Sequence, residues 1–182
     1  MIAGSAKGVR LVPVPRGVRP VSDMAREGLF SSIADRVPGV HVLDLYAGTG
    51  ALGIEALSRG AERAVFVERS RAALRAIAEN LARTRMSERA EVVAADAETF
   101  VTRDDNRGQA FDLALVDPPY DADLDGVQGV LAGLGSGRLA APGWTVVLTR
   151  RAGSSTPVIP VHWLLTRRLE YGDTLVLIFQ EA

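Results

Sequence analysis

Residues 40–53 read Val-His-Val-Leu-Asp-Leu-Tyr-Ala-Gly-Thr-Gly-Ala-Leu-Gly, and no other stretch limits the fold as tightly. An apolar run carries an acid, Asp44, near its end. Glycines follow at 48, 50 and 53, and then good helix formers over residues 51–59. Strand, glycine turn and helix together bring backbone N–H groups close to a ligand. Glycine serves there because a Cβ would block close approach or forbid a positive φ. The three glycines also spell G-x-G-x-x-G, the pattern of nicotinamide-dinucleotide sites. Asp44 argues for a different ligand. Its carboxylate would repel a pyrophosphate and attract an amine or a sulfonium. S-adenosylmethionine (SAM) carries both, plus a carboxylate for the backbone amides. A helix-capping or turn-bonding role is the alternative for Asp44.

The chain around this unit alternates. Ser22 or Asp23 caps a helix reaching about Asp35, ended by Pro38 and Gly39. Strands are expected over residues 40–46, 64–68, 90–95, 111–116 and 144–149. Ser70 caps a helix whose apolar face is Leu74, Ile77, Ala78 and Leu81, at spacing i, i+3, i+4, i+7. A helix over residues 124–134 is weakened by three glycines. Residues 162–170 and 174–180 then read as two strands about the turn Tyr171-Gly172-Asp173, an antiparallel hairpin. The predicted fold class is α/β: a Rossmann-like, mostly parallel seven-stranded sheet of the SAM-dependent methyltransferase type, with a C-terminal antiparallel hairpin. Short extended pieces over residues 2–16, turning at Gly8, predict a small N-terminal β-hairpin arm. The expected division is a basic arm over residues 1–20 and one catalytic domain over residues 21–182.

Four successive strands end at or near an acid: Asp44, Glu68, Asp96 and Asp117. Open parallel sheets bind ligands at the carboxyl ends of their strands, so topology brings the four to one rim. Asp44 is placed under a methionine amine. Glu68, 20 residues beyond Gly48, suits bidentate bonding to a ribose diol. Asp96, with the backbone of Ala97, is placed at an adenine amino group. Ala47, Gly48 and Gly50 supply the close backbone. Any one of the acids read singly is a cap or a surface charge.

Asp117-Pro118-Pro119-Tyr120 is the chemical element. Two prolines fix φ near −65° and remove two N–H donors, which makes a stiff loop with carbonyls free to accept. The Asp117 carboxylate and the Pro118 carbonyl can both accept from one exocyclic NH2, turning its lone pair toward a methyl group. Tyr120 offers a face on which a base stacks, a contact worth about 1–3 kcal/mol. In-line displacement at a methyl carbon needs positioning rather than a covalent intermediate. The chain has no cysteine, which excludes disulfides, thiolate-bound zinc and thiol nucleophiles. His41 and His162 are far apart in sequence without ligand-like spacing, so no metal is expected.

The net charge of −1 hides an asymmetry. Residues 1–26 carry Lys7, Arg10, Arg16, Arg19 and Arg26 against Asp23 alone. Lys7, Arg10, Arg16 and Arg19 are the candidate contacts to a polyanion; a solvated basic surface explains them equally well. Arg150, Arg151, Arg167 and Arg168 form a second basic group. With 47% hydrophobic residues over 182 positions, a globular domain is expected. The chain carries neither a signal-like segment nor an apolar run near the ~20 residues that span a bilayer, so a cytoplasmic protein is expected.

The chain resembles the bacterial small-subunit ribosomal RNA guanine-N2 methyltransferases, the RsmD-like family, nearly end to end. The residues that carry the resemblance are Ile2-Ala3-Gly4, Lys7-Gly8, Arg19-Pro20-Val21-Ser22-Asp23, Arg26-Glu27, Leu29-Phe30, the run from Asp44 to Gly53, Glu55-Ala-Leu-Ser-Arg-Gly60, Val67-Glu68, Asp117-Pro-Pro-Tyr120 and Tyr171-Gly-Asp-Thr174. It departs at Val21, where the family usually has Thr or Ser, and at Met24, where it usually has Arg. The resemblance implies SAM-dependent methylation of a guanine N2 in 16S rRNA, within the 30S subunit or an assembly intermediate, by a monomer. By position it gives SAM binding to Asp44, Gly48, Gly50, Glu68 and Asp96, and base handling to Asp117 and Tyr120. An adenine-N6 methyltransferase on DNA or RNA uses the same tetrapeptide and is the nearest rival. A nicotinamide dehydrogenase and a non-catalytic RNA-binding module are the others.

Overall fold

The computed structural model describes residues 1–13, 21–103, 110–140 and 142–182. Seven strands form one sheet: β1 (His41–Leu45), β2 (Arg63–Glu68), β3 (Ala90–Ala94), β4 (Leu113–Val116), β5 (Thr145–Arg151), β6 (Trp163–Tyr171) and β7 (Thr174–Glu181). Their order is β3-β2-β1-β4-β5-β7-β6. β1 to β5 run parallel, and β7 pairs antiparallel with both β5 and β6. The order reverses between β1 and β4, so the crevice for a ligand opens above the ends of those two strands. Strand–helix alternation and the closing hairpin were both legible in the sequence, and the sheet has the expected layout.

Two apolar layers cover the sheet. On one face lie α1 (Asp23–Ser32), α2 (Ala51–Ser58) and α3 (Arg71–Thr84), through Leu29, Phe30, Leu57, Ile77 and Leu81. On the other lie α4 (Ala97–Thr102) and α5 (Leu124–Gly135), through Phe100, Val101, Val127 and Leu131. Ser22 caps α1, its side chain accepting from Ala25 N. α1 ends at Ser32, and a single 3-10 turn at Ala34–Arg36 covers the remainder of the predicted helix. Ser70 caps α3 as expected. Its buried stripe is Ala73, Ala76, Ile77, Asn80 and Leu81, while Ala78 is exposed. The face is rotated by about one residue from the predicted one, because it seats a buried asparagine as well as apolar side chains.

The glycines of α5 have a packing reason. A Cβ at Gly129 would lie 2.7 Å from Glu98 Oε1, and one at Gly133 would lie 2.5 Å from Val101 Cγ2. Two helices therefore approach through a glycine groove, and the short helix α4, which the sequence reading did not predict, is seated by it.

The N-terminal hairpin needs correction. Among the described residues 1–13 there is no strand; a 3-10 turn occupies Gly4–Ala6. The chain does reverse, with Gly8 N donating to Met1 O at 3.0 Å. The N–H groups that a hairpin would pair are taken by α2 instead. Ile2 N and Ala3 N donate to the two carboxylate oxygens of Glu55 at 2.9 and 3.0 Å. Ala6 N donates to Ser58 Oγ at 2.9 Å, and Ser58 Oγ donates to Ala3 O. Glu55 is fully buried, and Arg59 Nε also donates to it at 2.8 Å. Further on, Val12 N donates to Asn80 Oδ1 at 2.8 Å, and Asn80 Nδ2 donates to Thr49 O at 2.9 Å. One buried asparagine thus ties the arm to the glycine loop.

Gly133→Ala tests the α4–α5 groove. Replacing a helical glycine gains about 1 kcal/mol of propensity, whereas overpacking against Val101 costs about 1–3 kcal/mol. A lower urea midpoint with an unchanged slope is expected. A raised midpoint would show that α4 yields freely.

Candidate active site

The carboxyl ends of β1, β2 and β4 open into a cleft of about 760 Å³. Asp44, Ala47, Gly48, Glu68, Asp96, Ala97, Asp117, Pro118 and Tyr120 all line it. Residues from four separate stretches of sequence therefore share one cavity. Gly50 stands behind it: its φ of +77° starts α2, and an added Cβ would meet Ile54 and Phe66 at 3.3 Å. Lys7 and Arg10 are exposed on the arm, away from the cleft lining. Arg16 and Arg19 lie outside the described residues. Both histidines serve elsewhere. His41 lies 3.6 Å from Glu62 at the opposite end of the sheet, and the His162 ring meets Trp144 edge-on.

Asp44 is the most constrained of the acids. It is 1% exposed. Its Oδ2 accepts from Gly53 N at 2.9 Å, and its Oδ1 is buried without a partner among the described residues. Burial pushes this carboxyl well above the usual 3.8; the Gly53 bond opposes the shift, and the charges of Asp117 and Glu68 add to it. A buried carboxylate with one empty oxygen favours a cationic donor. Gly53 is required for the contact, because a Cβ there would sit 2.9 Å from Asp44 Oδ2 and 2.4 Å from the Phe66 ring.

The glycine loop is held by Glu68. Its Oε2 accepts from Gly48 N at 2.9 Å, and its Oε1 accepts from Arg69 N and Ser70 N at 2.8 Å each. A carboxylate offers about four acceptor positions, so three backbone donors leave room for a single hydroxyl. The structure shows Glu68 as a brace of the glycine loop, which leaves about one acceptor position for the ribose bonding that the spacing suggested. Tyr46 and Gly48 both have positive φ, 59° and 58°. For a tyrosine that is an uncommon backbone, and strain of this kind gathers at functional sites. Sequence reading missed Tyr46, because nothing in its neighbours marks the left-handed turn. Asp96 caps α4, accepting from Glu98 N and Thr99 N at 3.0 and 3.3 Å, and its other oxygen meets Arg69 at 3.3 Å. The capping reading of Asp96 is the observed one, and the residue also lines the cleft.

Asp117 follows β4, and Pro118 is buried behind it. Asp117 Oδ1 accepts from the hydroxyl of Thr149 on β5. Burial pushes the Asp117 carboxyl up to about 6, against the lowering effect of that hydroxyl. The register pairs Val116 with Leu148, so Thr149 comes level with Asp117. The Tyr120 hydroxyl lies 3.1 Å from Thr174 Oγ1 and donates to Asp173 O at 3.2 Å. Thr149 was also missed, since only strand pairing brings it near. Among the described residues no cluster of His, Cys, Asp and Glu could hold a metal ion, and no helix is long and apolar enough to cross a membrane.

These residues fit SAM. Asp44 Oδ1 offers an unsatisfied acceptor for an ammonium, and the Glu68 carboxylate keeps one position for a hydroxyl. Ala97 and Tyr46 add the flanking walls.

The family described as "Conserved hypothetical protein 95" matches residues 1–180. The chain is similar to ribosomal RNA small subunit methyltransferase D of Escherichia coli K12, with 32% identity over 181 residues, covering 99% of this chain and 88% of that protein. A solved structure of a hypothetical protein from Thermus thermophilus superposes with a TM-score of 0.83 at 35% identity, covering 100% of this chain and 98% of that one. A SAM-dependent methyltransferase from Agrobacterium tumefaciens shares the fold, with a TM-score of 0.62 at 24% identity over 76% of this chain and 47% of that one.

The raised acids have a consequence for stability. The folded chain holds the Asp117 proton more tightly than the unfolded chain does between the ordinary 3.8 and about 6. Stability therefore falls as pH rises through that window. Asp117→Asn should be more stable than the parent by about 1–3 kcal/mol at pH about 7.5, with the gap closing below pH about 4. Urea unfolding across pH measures it. A gap independent of pH would show that burial does not disfavour the charge.

Proposed function

The chain belongs to the conserved hypothetical protein 95 family, that of ribosomal RNA small subunit methyltransferase D, and on that premise we propose that it methylates a guanine N2 of 16S rRNA with SAM as donor, in the small subunit or an assembly intermediate. The observation that carries the reading is the shared cleft, in which Asp117 and Pro118 stand on the same rim as Asp44 and Gly48. SAM, when bound, supplies a methyl group on a positively charged sulfur. The protein's own residues do the rest. Asp44 Oδ1 takes the donor's ammonium, and the remaining acceptor position of Glu68 takes a ribose hydroxyl. Asp117 and the Pro118 carbonyl accept from the two hydrogens of the target amine and aim its lone pair. Tyr120 stacks on the base, which must leave its helix to reach the cleft. The side walls keep water from the transfer, and position supplies most of the acceleration.

Charge supports an RNA substrate whose backbone stays outside. The cleft is acidic, with Glu98, Asp121 and Asp123 at its margin, so phosphates are repelled from it and a neutral base enters alone. Lys7 and Arg10 on the arm meet the phosphates.

Three measurements bear on this. Asp117→Ala should abolish methyl transfer to 30S subunits while SAM affinity, read by calorimetry, stays within about threefold, because Asp117 grips the amine rather than the donor. Nucleoside mass spectrometry should find N2-methylguanosine; N6-methyladenosine would favour the adenine reading, and NADH binding without SAM binding would favour a dehydrogenase. Replacing Lys7 and Arg10 with Ala should weaken RNA binding and reduce its log–log salt slope by about 1–2. An unchanged slope moves the phosphate contacts elsewhere.

A further inference from the structure

The Asp-Pro-Pro-Tyr loop is contacted at both ends by threonines from the antiparallel part of the sheet. Thr149 on β5 donates to Asp117 Oδ1. Thr174, the first residue of β7, lies 3.1 Å from the Tyr120 hydroxyl, and the Asp173 carbonyl accepts from that hydroxyl at 3.2 Å. Both threonines are buried, at 1% and 4% exposure. The register pairs Thr149 with Val176 and Arg151 with Thr174, so one pair of strands carries both contacts. The turn itself is anchored. Ala152 N donates to Asp173 O at 2.8 Å, and the Tyr171 ring fills the space that a Cβ at Gly28 of α1 would need, at 2.1 Å.

We propose that Thr149 and Thr174 are positioning residues for methyl transfer: Thr149 fixes the Asp117 carboxylate with one oxygen occupied and the other turned to the target amine, and Thr174 fixes the plane of the Tyr120 ring against the base. This rests on the methyltransferase reading above. The physics is directional. A free carboxylate rotates between equivalent orientations, and a hydroxyl bonded to one oxygen selects among them. Two prolines hold the backbone between Asp117 and Tyr120, but proline does not fix the side chains on either side. Those need partners of their own, and the chain supplies them from strands more than 25 residues downstream. A supporting contact of this kind decides whether a reactive group sits at its working angle. Asp44 and Glu68 line the same cleft but act as acceptors, from Gly53 N and Gly48 N, and an ionised carboxylate has no hydrogen with which to replace the Thr149 donor.

The test uses the full chain, SAM and 30S subunits from cells in which the gene is deleted. Thr149→Val keeps the shape and removes the hydroxyl; Thr149→Ser keeps the hydroxyl. At saturating SAM and subunits, the single-turnover rate of Thr149→Val should fall about 10- to 100-fold, SAM affinity should change less than about threefold, and Thr149→Ser should recover most of the rate. The acid limb of the rate–pH profile should move upward in Thr149→Val, because a bond that favours the charged carboxylate is gone; a role confined to packing would leave the limb in place. At the other end, Thr174→Val removes one partner of the Tyr120 hydroxyl, whereas Tyr120→Phe removes that contact together with the bond to the Asp173 carbonyl. Each should raise KM for subunits with little change in SAM affinity, and the double variant should be no worse than Tyr120→Phe alone. That cycle also stands if Thr149→Val fails to fold. Wild-type rates and an unmoved limb in Thr149→Val, or additive losses at Thr174 and Tyr120, overturn the proposal. If Asp117→Ala is itself active, the methyltransferase assignment of the loop falls first, and the two failures are told apart.

Discussion

A carboxylate that is buried, bonded on one oxygen and open on the other sets the terms for this molecule. Asp44 destabilises the fold where it stands, because its charge is taken from water and only Gly53 N offsets part of that loss. The surroundings accommodate it at several points. Gly53 gives up its side chain so that α2 can reach the acid. Glu68 holds the glycine loop over it through Gly48. Asn80 fastens the loop from the other side at Thr49. A buried carboxylate kept with one oxygen unpaired makes the fold less stable than it could be, the usual mark of a trade between stability and activity.

The same logic reaches the two ends of the chain. The N-terminal segment commits its first N–H groups to Glu55 and Ser58, side chains of the helix that the glycine loop begins. Val12 then reaches Asn80, one hydrogen bond from that loop. At the C-terminus, the turn between β6 and β7 meets Tyr120 on one side and α1 on the other. Arm, glycine loop and Asp-Pro-Pro-Tyr loop thus share supports, although they are remote in sequence. The mouth of the cleft is acidic, whereas the exposed groups of the arm at Lys7 and Arg10 are basic.

Much of this was legible early because the signals are local. Apolar runs ending at acids, a glycine turn and a Gly-Asp hairpin each act over fewer than about ten residues, where backbone preference speaks directly. The helix caps at Ser22 and Ser70 were readable for the same reason. Other features were misread or missed because their cause is a partner elsewhere. The glycines of α5 read as weakness until α4 is seen lying against them. Residues 2–16 read as a hairpin because extended, turn-bearing chain pairs with itself when nothing better is near; among the described residues of this stretch, Glu55 is near and takes the N–H groups. The bracing of the glycine loop by Glu68 was missed because its three backbone donors come from residues 48, 69 and 70.

The sequence by itself determined the kinds of element, their order and the level at which the acids emerge, since strand direction and crossover handedness follow from short-range chemistry and chain connectivity. It also determined that Asp117 and Tyr120 sit on a stiff loop, since proline needs no partner to restrict its backbone. Only the tertiary structure decided which oxygen of each acid remains open and which distant hydroxyl turns each side chain. Those outcomes depend on strand register and on side chains arriving from separate parts of the chain, and neither is encoded within any one stretch of residues.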